Sequence, residues 1–277
     1  MGLFQLIGPQ TFEKENMLER ILYANCPLCE STKFLNVVIG DCSNHPLYNK
    51  GLNPIMQWRQ CGDCFHIFTE GYYTDEVCKI LFAKTNENQK IGGPIEENRV
   101  VSSKMVEKVL PYVSNGSWLD VGFGNGSLLF TAQEFGFKPI GIDLRVDNVN
   151  ILNSIGIDSY CEDLTTLSLP EKLSVVSMAD VLEHMPYPKK ALLAANRLLK
   201  ESGVLLLSMP NTENILWRVL SDQNQNPYWG EMEHYHNFSR TRLYSLLREF
   251  GFEPVRYGIS ERYRIGMEIV SIKRKNI

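Results

Sequence analysis

The chain has 277 residues, 44% of them hydrophobic and 22% charged, with a formal net charge of −4. This make-up describes an ordinary globular protein of one large domain, or of a medium domain with a small one, and excludes a low-complexity chain. It gives no general attraction for nucleic acid or anionic lipid, and no run of about eighteen apolar residues would cross a bilayer. The first fifteen residues lack a basic n-region, and Leu6 stands where a myristoylation signal beginning Met1-Gly2 wants Ser or Thr, so a cytoplasmic location without membrane insertion is expected.

In chain order, the cysteines come first. Seven is an odd number for a disulfide framework. Cys26-Pro-Leu-Cys29 and Cys61-Gly-Asp-Cys64 are two Cys-x-x-Cys knuckles separated by a 31-residue insert. Their four thiolates suit one tetrahedral structural Zn2+, with Pro27 and Gly62 fitted to the tight turns; four free buried thiols are the plainer alternative. The insert predicts a small sub-lobe. Within it, Cys42-Ser-Asn-His45 has knuckle spacing and with His66 offers a less favoured second metal set, short of a fourth ligand. Cys78 and Cys161 lie in apolar stretches and read as small buried hydrophobes. A helix is predicted from Thr74 to Thr85. The polar run Asn86 to Pro94 has loop composition and divides the chain into a zinc-binding, acceptor-side domain (1–92) and a second domain (93–277).

The second domain opens with a helix predicted from Glu97 to Leu110, its apolar face carrying Val101, Met105 and Val109, and Pro111 ending it. A strand from Ser117 to Val121 then runs into Gly122, Gly124 and Gly126, followed by a helix from Ser127 to Phe135. Glycines at a strand-to-helix turn let backbone approach a ligand and aim free N–H groups at it. The last two stand two apart rather than three, and Asp120 would repel a pyrophosphate, so the turn suits a ligand with a cationic end better than a dinucleotide. Ile140-Gly-Ile-Asp143 is a second apolar strand ending in an acid, where a carboxylate can grip a ribose diol. A third, around Ile157 to Cys161, ends in Glu162-Asp163-Leu164. The fourth, from Val175, ends in Ala179-Asp-Val-Leu-Glu-His184. A helix from Lys189 to Lys200, a turn at Glu201-Ser-Gly203 and a strand from Val204 to Ser208 follow. The alternation predicts a parallel sheet covered by helices on both faces. A helix from Thr241 to Phe250, capped by Ser239, and two strands, Pro254 to Ile259 and Glu268 to Lys273, complete the chain.

Jointly, the strand-end acids and glycines resemble motifs I to IV of the class I S-adenosyl-L-methionine (SAM)-dependent methyltransferases, from about Asn98 onward. The resemblance implies an α/β, Rossmann-like, mostly parallel sheet closed by one antiparallel C-terminal strand, with SAM as cofactor. It implies that Asp120, Gly122, Gly124 and Gly126 pass along the methionine and ribose portions. Asp143 would take the ribose hydroxyls with Leu144 beside it, and Asp163 and Leu164 the adenine. Asp180 would lie near the sulfonium, although an aspartate there also suits a helix cap. Arg99 either reaches the SAM carboxylate or lies in solvent.

Methyl transfer to a hydroxyl needs in-line placement and a base. The chain holds five histidines. His184, after the fourth strand, is the first candidate base, and His234, with Glu233, the second; a turn histidine is the alternative for His184. The segment Tyr228 to Ser239 resembles the Glu-His-x-x-x-Phe-Ser stretch on the acceptor side of many such enzymes. The tandem of knuckles and catalytic domain resembles the bacterial zinc-containing methyltransferases of sugar and glycoconjugate biosynthesis, among them nucleotide-sugar C-methyltransferases. Those carry Tyr-x-Glu-His, whereas Glu231-Met-Glu233-His234 has Glu231 in place of the tyrosine, and the sequence stops soon after the last sheet strand. O-methylation of a small-molecule or glycan acceptor is therefore favoured over C-methylation. An RNA-modifying methyltransferase or zinc-ribbon nucleic-acid-binding protein is disfavoured by Asp41, Asp63, Glu70, Asp75 and Glu76 around the knuckles. Intact cofactor motifs disfavour a non-catalytic SAM binder, and the glycine spacing disfavours an NAD-linked oxidoreductase.

Overall fold

The computed structural model describes residues 20–83, 89–263 and 265–274; the leader and myristoylation expectations, the end of the Thr74–Thr85 helix and part of the boundary run lie outside them. In the first segment, alternating side chains build short antiparallel strands: β1 (Ile21–Leu22), β2 (Phe34–Asp41), β3 (Ile55–Cys61), β4 (Ile67–Thr69) and β5 (Gly71–Tyr72), followed by helix α1 (Asp75–Ala83). Trp58 and Met56 turn inward from β3, while Leu35 and Ile39 of β2 stay exposed.

The remainder comprises α2 (Ile95–Val109), β6 (Gly116–Val121), α3 (Ser127–Glu134), β7 (Phe137–Ile142), α4 (Val146–Ser154), β8 (Asp158–Tyr160), β9 (Leu173–Ala179), α5 (Pro188–Leu198), β10 (Leu199–Pro210), α6 (Ile215–Asp222), β11 (His236–Asn237), α7 (Arg240–Glu249), β12 (Phe252–Ile259) and β13 (Gly266–Lys273). Seven strands form one sheet in the order β12-β13-β10-β9-β6-β7-β8. The pairs among β8, β7, β6, β9 and β10 are parallel, and β13 runs antiparallel to both β10 and β12. This is the mostly parallel, Rossmann-like sheet with a single reversed strand that the resemblance implies. Buried runs on β6, β9 and β10 reflect cover on both faces. Met105, Val106 and Val109 of α2 pack with Trp118 on one face; Leu192 and Ala195 of α5 pack with Leu119 and Val176 on the other.

Strand order reverses between β6 and β9, which opens a crevice at their carboxyl ends. Two local differences from the sequence expectation affect the surroundings. No helix joins β8 to β9 among the described residues: Pro170 and the β-branched and hydroxyl residues Thr165, Thr166 and Ser168 favour turns there. Cys161, in this connection, is exposed rather than buried. The turn before the fifth parallel strand is drawn into β10, whose register breaks between Leu199 and Val204, with Ser202 at φ +59°.

The N-terminal strands are joined to the later chain by backbone pairing. β11 adds to the edge of a second sheet, order β11-β4-β3-β2, with His236 opposite Phe68 and Asn237 opposite Ile67. Tyr23, Cys26, Leu28 and Phe68 share a continuous core with Phe238, Leu243 and Leu246. Trp58 Nε1 donates to Trp229 O at 2.9 Å, and Tyr23 OH to Pro186 O at 2.7 Å. β2 approaches Trp229 so closely at Gly40 that any Cβ there would overlap the Trp229 carbonyl. On the opposite side, buried Lys108 of α2 pairs with buried Glu268 of β13 at 2.5 Å.

Candidate active site

The crevice is floored by the β6–α3 turn. Gly122, Gly124 and Gly126 all have positive φ, and a Cβ at Gly124 would meet nothing within 4 Å, so the chain there faces open space. Asp120, 4% exposed, sits under it and accepts from Ser177 Oγ at 2.6 Å. Ser177 Oγ is held in turn by Trp118 Nε1 at 2.8 Å. Burial pushes the Asp120 carboxyl up to about 7, with Ser177 opposing. Such a carboxyl is poised to ionise against a cation brought into the crevice.

Asp143 directly follows β7, but its carboxylate is already engaged. Arg145 Nε reaches Oδ1 at 2.8 Å and Nη2 reaches Oδ2 at 2.5 Å, while the Gly124 N–H donates to Oδ2 at 3.2 Å. Arg145 gave no periodic or motif signal; only the two-residue reach of its fork back onto a strand-end acid could have indicated it. Leu144 is exposed beside it. Asp163 lies exposed in the next turn and caps it through Thr165 N at 2.7 Å, and Leu164 is buried behind. Arg99 does not approach the crevice glycines through a bond of its own: it is 59% exposed and forks onto Glu134.

The far wall gathers the histidines and acids. Asp180 has φ +57°, its N–H donates to Ser208 O, and its Oδ1 accepts from Ser208 Oγ at 3.1 Å, so it caps no helix. The next residues form a 3-10 turn, Leu182–His184, that buries Glu183 and leaves neither of its carboxylate oxygens hydrogen-bonded. Burial, reinforced by Asp180, holds the Glu183 carboxyl well above its usual range. His184 Nδ1 lies 3.0 Å from Glu233 O, and its ring meets that of His234 edge-on at 4.6 Å. His234 is buried, and burial together with the neighbouring His184 keeps it neutral. The sequence candidates His184, His234 and Glu233 are thus brought together. Trp217 and Tyr228 stack at 5.3 Å, and Tyr228 extends this aromatic surface to within 6.2 Å of His234.

A contribution from the N-terminal lobe completes this wall. His45 Nε2 lies 2.9 Å from Glu231 Oε2 and 3.3 Å from Glu233 Oε2. Burial opposes its charge, but the two glutamates outweigh it and raise its pKa. This corrects the second metal set considered for Cys42, His45 and His66, whose side chains have separate partners: Cys42 Sγ bonds Pro54 O, and His66 Nε2 lies 3.0 Å from His236 Nδ1. Glu231, the residue replacing the expected tyrosine, finds its partner 186 positions away, which no local pattern could signal.

The knuckle cysteines converge separately. Cys26 and Cys64 sulfurs are 3.7 Å apart and Cys29 and Cys61 sulfurs 3.5 Å, and all four lie within 4.8 Å of one another. The Asp63 and Cys64 N–H groups point at Cys61 Sγ at 3.4 and 3.5 Å. Four sulfurs about 2.3 Å from a shared centre would stand about 3.8 Å apart, so the cluster matches a tetrahedral tetrathiolate.

Known proteins carry the same architecture. A 1,6-didemethyltoxoflavin N1-methyltransferase from Burkholderia thailandensis, solved with S-adenosylhomocysteine, superposes with a TM-score of 0.54 over 77% of this chain and 98% of its own at 16% identity. The magnesium protoporphyrin IX methyltransferase of Synechocystis, also with S-adenosylhomocysteine, gives 0.51 over 65% and 84% at 19% identity. A ubiquinone biosynthesis O-methyltransferase from Nitrosococcus oceani is 28% identical over 169 residues, 54% of this chain and 72% of the relative. An uncharacterized Methanocaldococcus jannaschii protein is 24% identical over 164 residues, 58% and 76% of the two chains. Residues 96–257, more than half of the sequence, match the family described as a methyltransferase domain, and the chain belongs to it: this is a SAM-dependent methyltransferase.

Proposed function

We propose that the protein O-methylates a hydroxyl of a sugar or glycoconjugate precursor, with SAM held over the β6–α3 turn and a structural Zn2+ in the knuckle cysteines. The observation that carries this reading is the far wall: His184 and the neutral His234 set among Asp180, Glu183, Glu231 and Glu233, beside the stacked Trp217 and Tyr228. Carboxylates accept hydrogen bonds from sugar hydroxyls, and aromatic faces pack against the C–H face of a pyranose. A wall of carboxylates repels a polyanionic strand, which disfavours RNA.

SAM supplies the electrophilic methyl group. Asp120 would face its ammonium and Asp143 its ribose, with Arg145 turning aside from one carboxylate oxygen. Asp163 and the Leu164 N–H would read the adenine. The acceptor would enter from the side of Tyr228 and His45, and His184 or His234 would take its proton while the wall holds its oxygen in line with the methyl carbon. The lobe over 1–92 would act as part of the acceptor site, since His45 reaches into it.

Transfer of tritium from methyl-labelled SAM into nucleotide sugars and cell-envelope glycan extracts tests this, with mass spectrometry locating the methyl. A methyl ether on a sugar oxygen is the expected product. A carbon-linked methyl, or transfer only to RNA, would replace the proposal.

A further inference from the structure

We propose that Glu183, His184 and His234 form a divalent-cation site at the acceptor end of the crevice, distinct from the knuckle cysteines. One ligand atom from each lies within 4.8 Å of the others. Glu183 is 1% exposed, yet neither of its oxygens has a hydrogen-bond partner, and His234 Nδ1 is likewise buried without one; Asp180 Oδ2, beside them, faces Arg262 Nη1 at 3.6 Å. Buried polar atoms are nearly always satisfied, and several orphans converging on one point call for a missing partner. Each of these groups can offer a lone pair within 4.8 Å of the others, a set that a divalent cation would accept.

The orientation of His184 agrees. Its Nδ1 can donate to Glu233 O at 3.0 Å, which leaves the Nε2 lone pair free and is the arrangement by which metal-binding histidines are held to one tautomer. Two imidazoles and one carboxylate, with Asp180 alongside, suit Mn2+, Fe2+, Co2+ or Zn2+ better than Mg2+ or Ca2+. Three protein ligands leave open positions, where an acceptor hydroxyl would be polarised and its proton made easier to remove. The two histidines would then ligate the cation rather than take the acceptor's proton, which Glu233, on the same wall, could receive. The O–H pair remains on oxygen and forms the new O–CH3 bond, while the C–S pair stays on sulfur and neutralises the sulfonium.

This inference rests on the crevice being the acceptor side of the methyltransferase, and the experiment separates the two. The full chain, its cysteines loaded with zinc, is titrated with Mn2+ and followed by electron paramagnetic resonance; Mn2+ prefers oxygen and nitrogen donors and competes poorly for thiolates. One Mn2+ per chain is expected, with nitrogen couplings from two imidazoles visible in the wild type. Glu183→Gln and His234→Gln should each weaken binding by about 100-fold or more, since even second-shell losses cost 10- to 100-fold, while SAM affinity measured by calorimetry holds. No saturable Mn2+ or Zn2+ beyond the cysteine cluster, absence of nitrogen coupling, or unchanged binding in both variants overturns the site. Cation binding with these signatures but no methylated hydroxyl upholds the site and fails the acceptor reading. Full transfer to a hydroxyl after the cation is stripped does the reverse.

Discussion

Asp120 should make SAM binding depend on pH in a way that few surface carboxylates could imitate. In the free protein its carboxyl is buried, braced by Ser177, and raised from its ordinary 3.8 to about 7. Between those values the folded state keeps a proton that the unfolded chain has released. The contribution of this group to stability is therefore full below the lower value, declines as pH rises toward the upper one, and ends about 4 kcal/mol lower above it. A bound ammonium reverses the preference, because it favours the ionised carboxylate. Below neutrality, SAM binding must then expel a proton, and Kd should rise by up to about tenfold per pH unit; because half of the carboxyl is already ionised at pH 7, the rise from pH 7 to 5.5 is about 15-fold. Calorimetry in two buffers of different ionisation enthalpy counts the released proton directly. Asp120→Asn should bind weakly at every pH and release none. An affinity that stays flat across this range, or the same slope in Asp120→Asn, would refute the reasoning.

Other outcomes follow from separate parts of the molecule. Protein purified without added metal should carry zinc at the cysteine cluster, and Cys29→Ser or a strong chelator should release it and loosen the N-terminal strands, as elemental analysis and limited proteolysis would show. Asp143→Ala should weaken SAM binding by about 1.5–3 kcal/mol through loss of a charge-assisted contact; unchanged affinity by calorimetry would remove Asp143 from the site. Lys108→Met leaves Glu268 buried and unpaired and should cost about 3–5 kcal/mol in urea unfolding, with much of it recovered when Glu268 is also made apolar. His45→Ala removes the partner of Glu231 and Glu233 and should raise the acceptor KM about tenfold with SAM affinity intact; equal losses in both would mean general damage to the fold.

The nucleotide-binding half of the fold was legible because its signals are local. The strand ending at Asp120, the three glycines and Asp143 lie within a few residues of one another, and the period of each element is intact. The helix cap at Ser239 was legible for the same reason, its Oγ receiving the Arg242 N–H at 3.0 Å. The absent helix after β8 was not, since five alternations suggested a regularity that Pro170 and its hydroxyl-rich neighbours break. The wall of histidines and acids was only half visible. His184 and His234 stood out as scarce residues after a strand and in an aromatic segment, but their mutual contact, the Arg145 clamp and the reach of His45 depend on tertiary placement. So does the burial of Glu183, which in sequence is one acid among many and in the fold is a carboxyl with no hydrogen-bond partner.

The β4–β11 pairing also constrains how the molecule is made. The N-terminal strands leave the ribosome long before His236 and Asn237 exist to cover the edge of β4. Until then the nascent lobe presents the open backbone N–H and C=O groups of β4 next to the apolar Phe68, with the outward Leu35 and Ile39 on β2 at the other edge of the same sheet, surfaces on which two growing chains could pair with each other. Early capture of a metal by the cysteines would hold that lobe in shape while the rest is synthesised. Chains interrupted before residue 236 should consequently accumulate as aggregates rather than as soluble half-proteins, and supplying zinc during expression should raise the soluble yield of the whole chain.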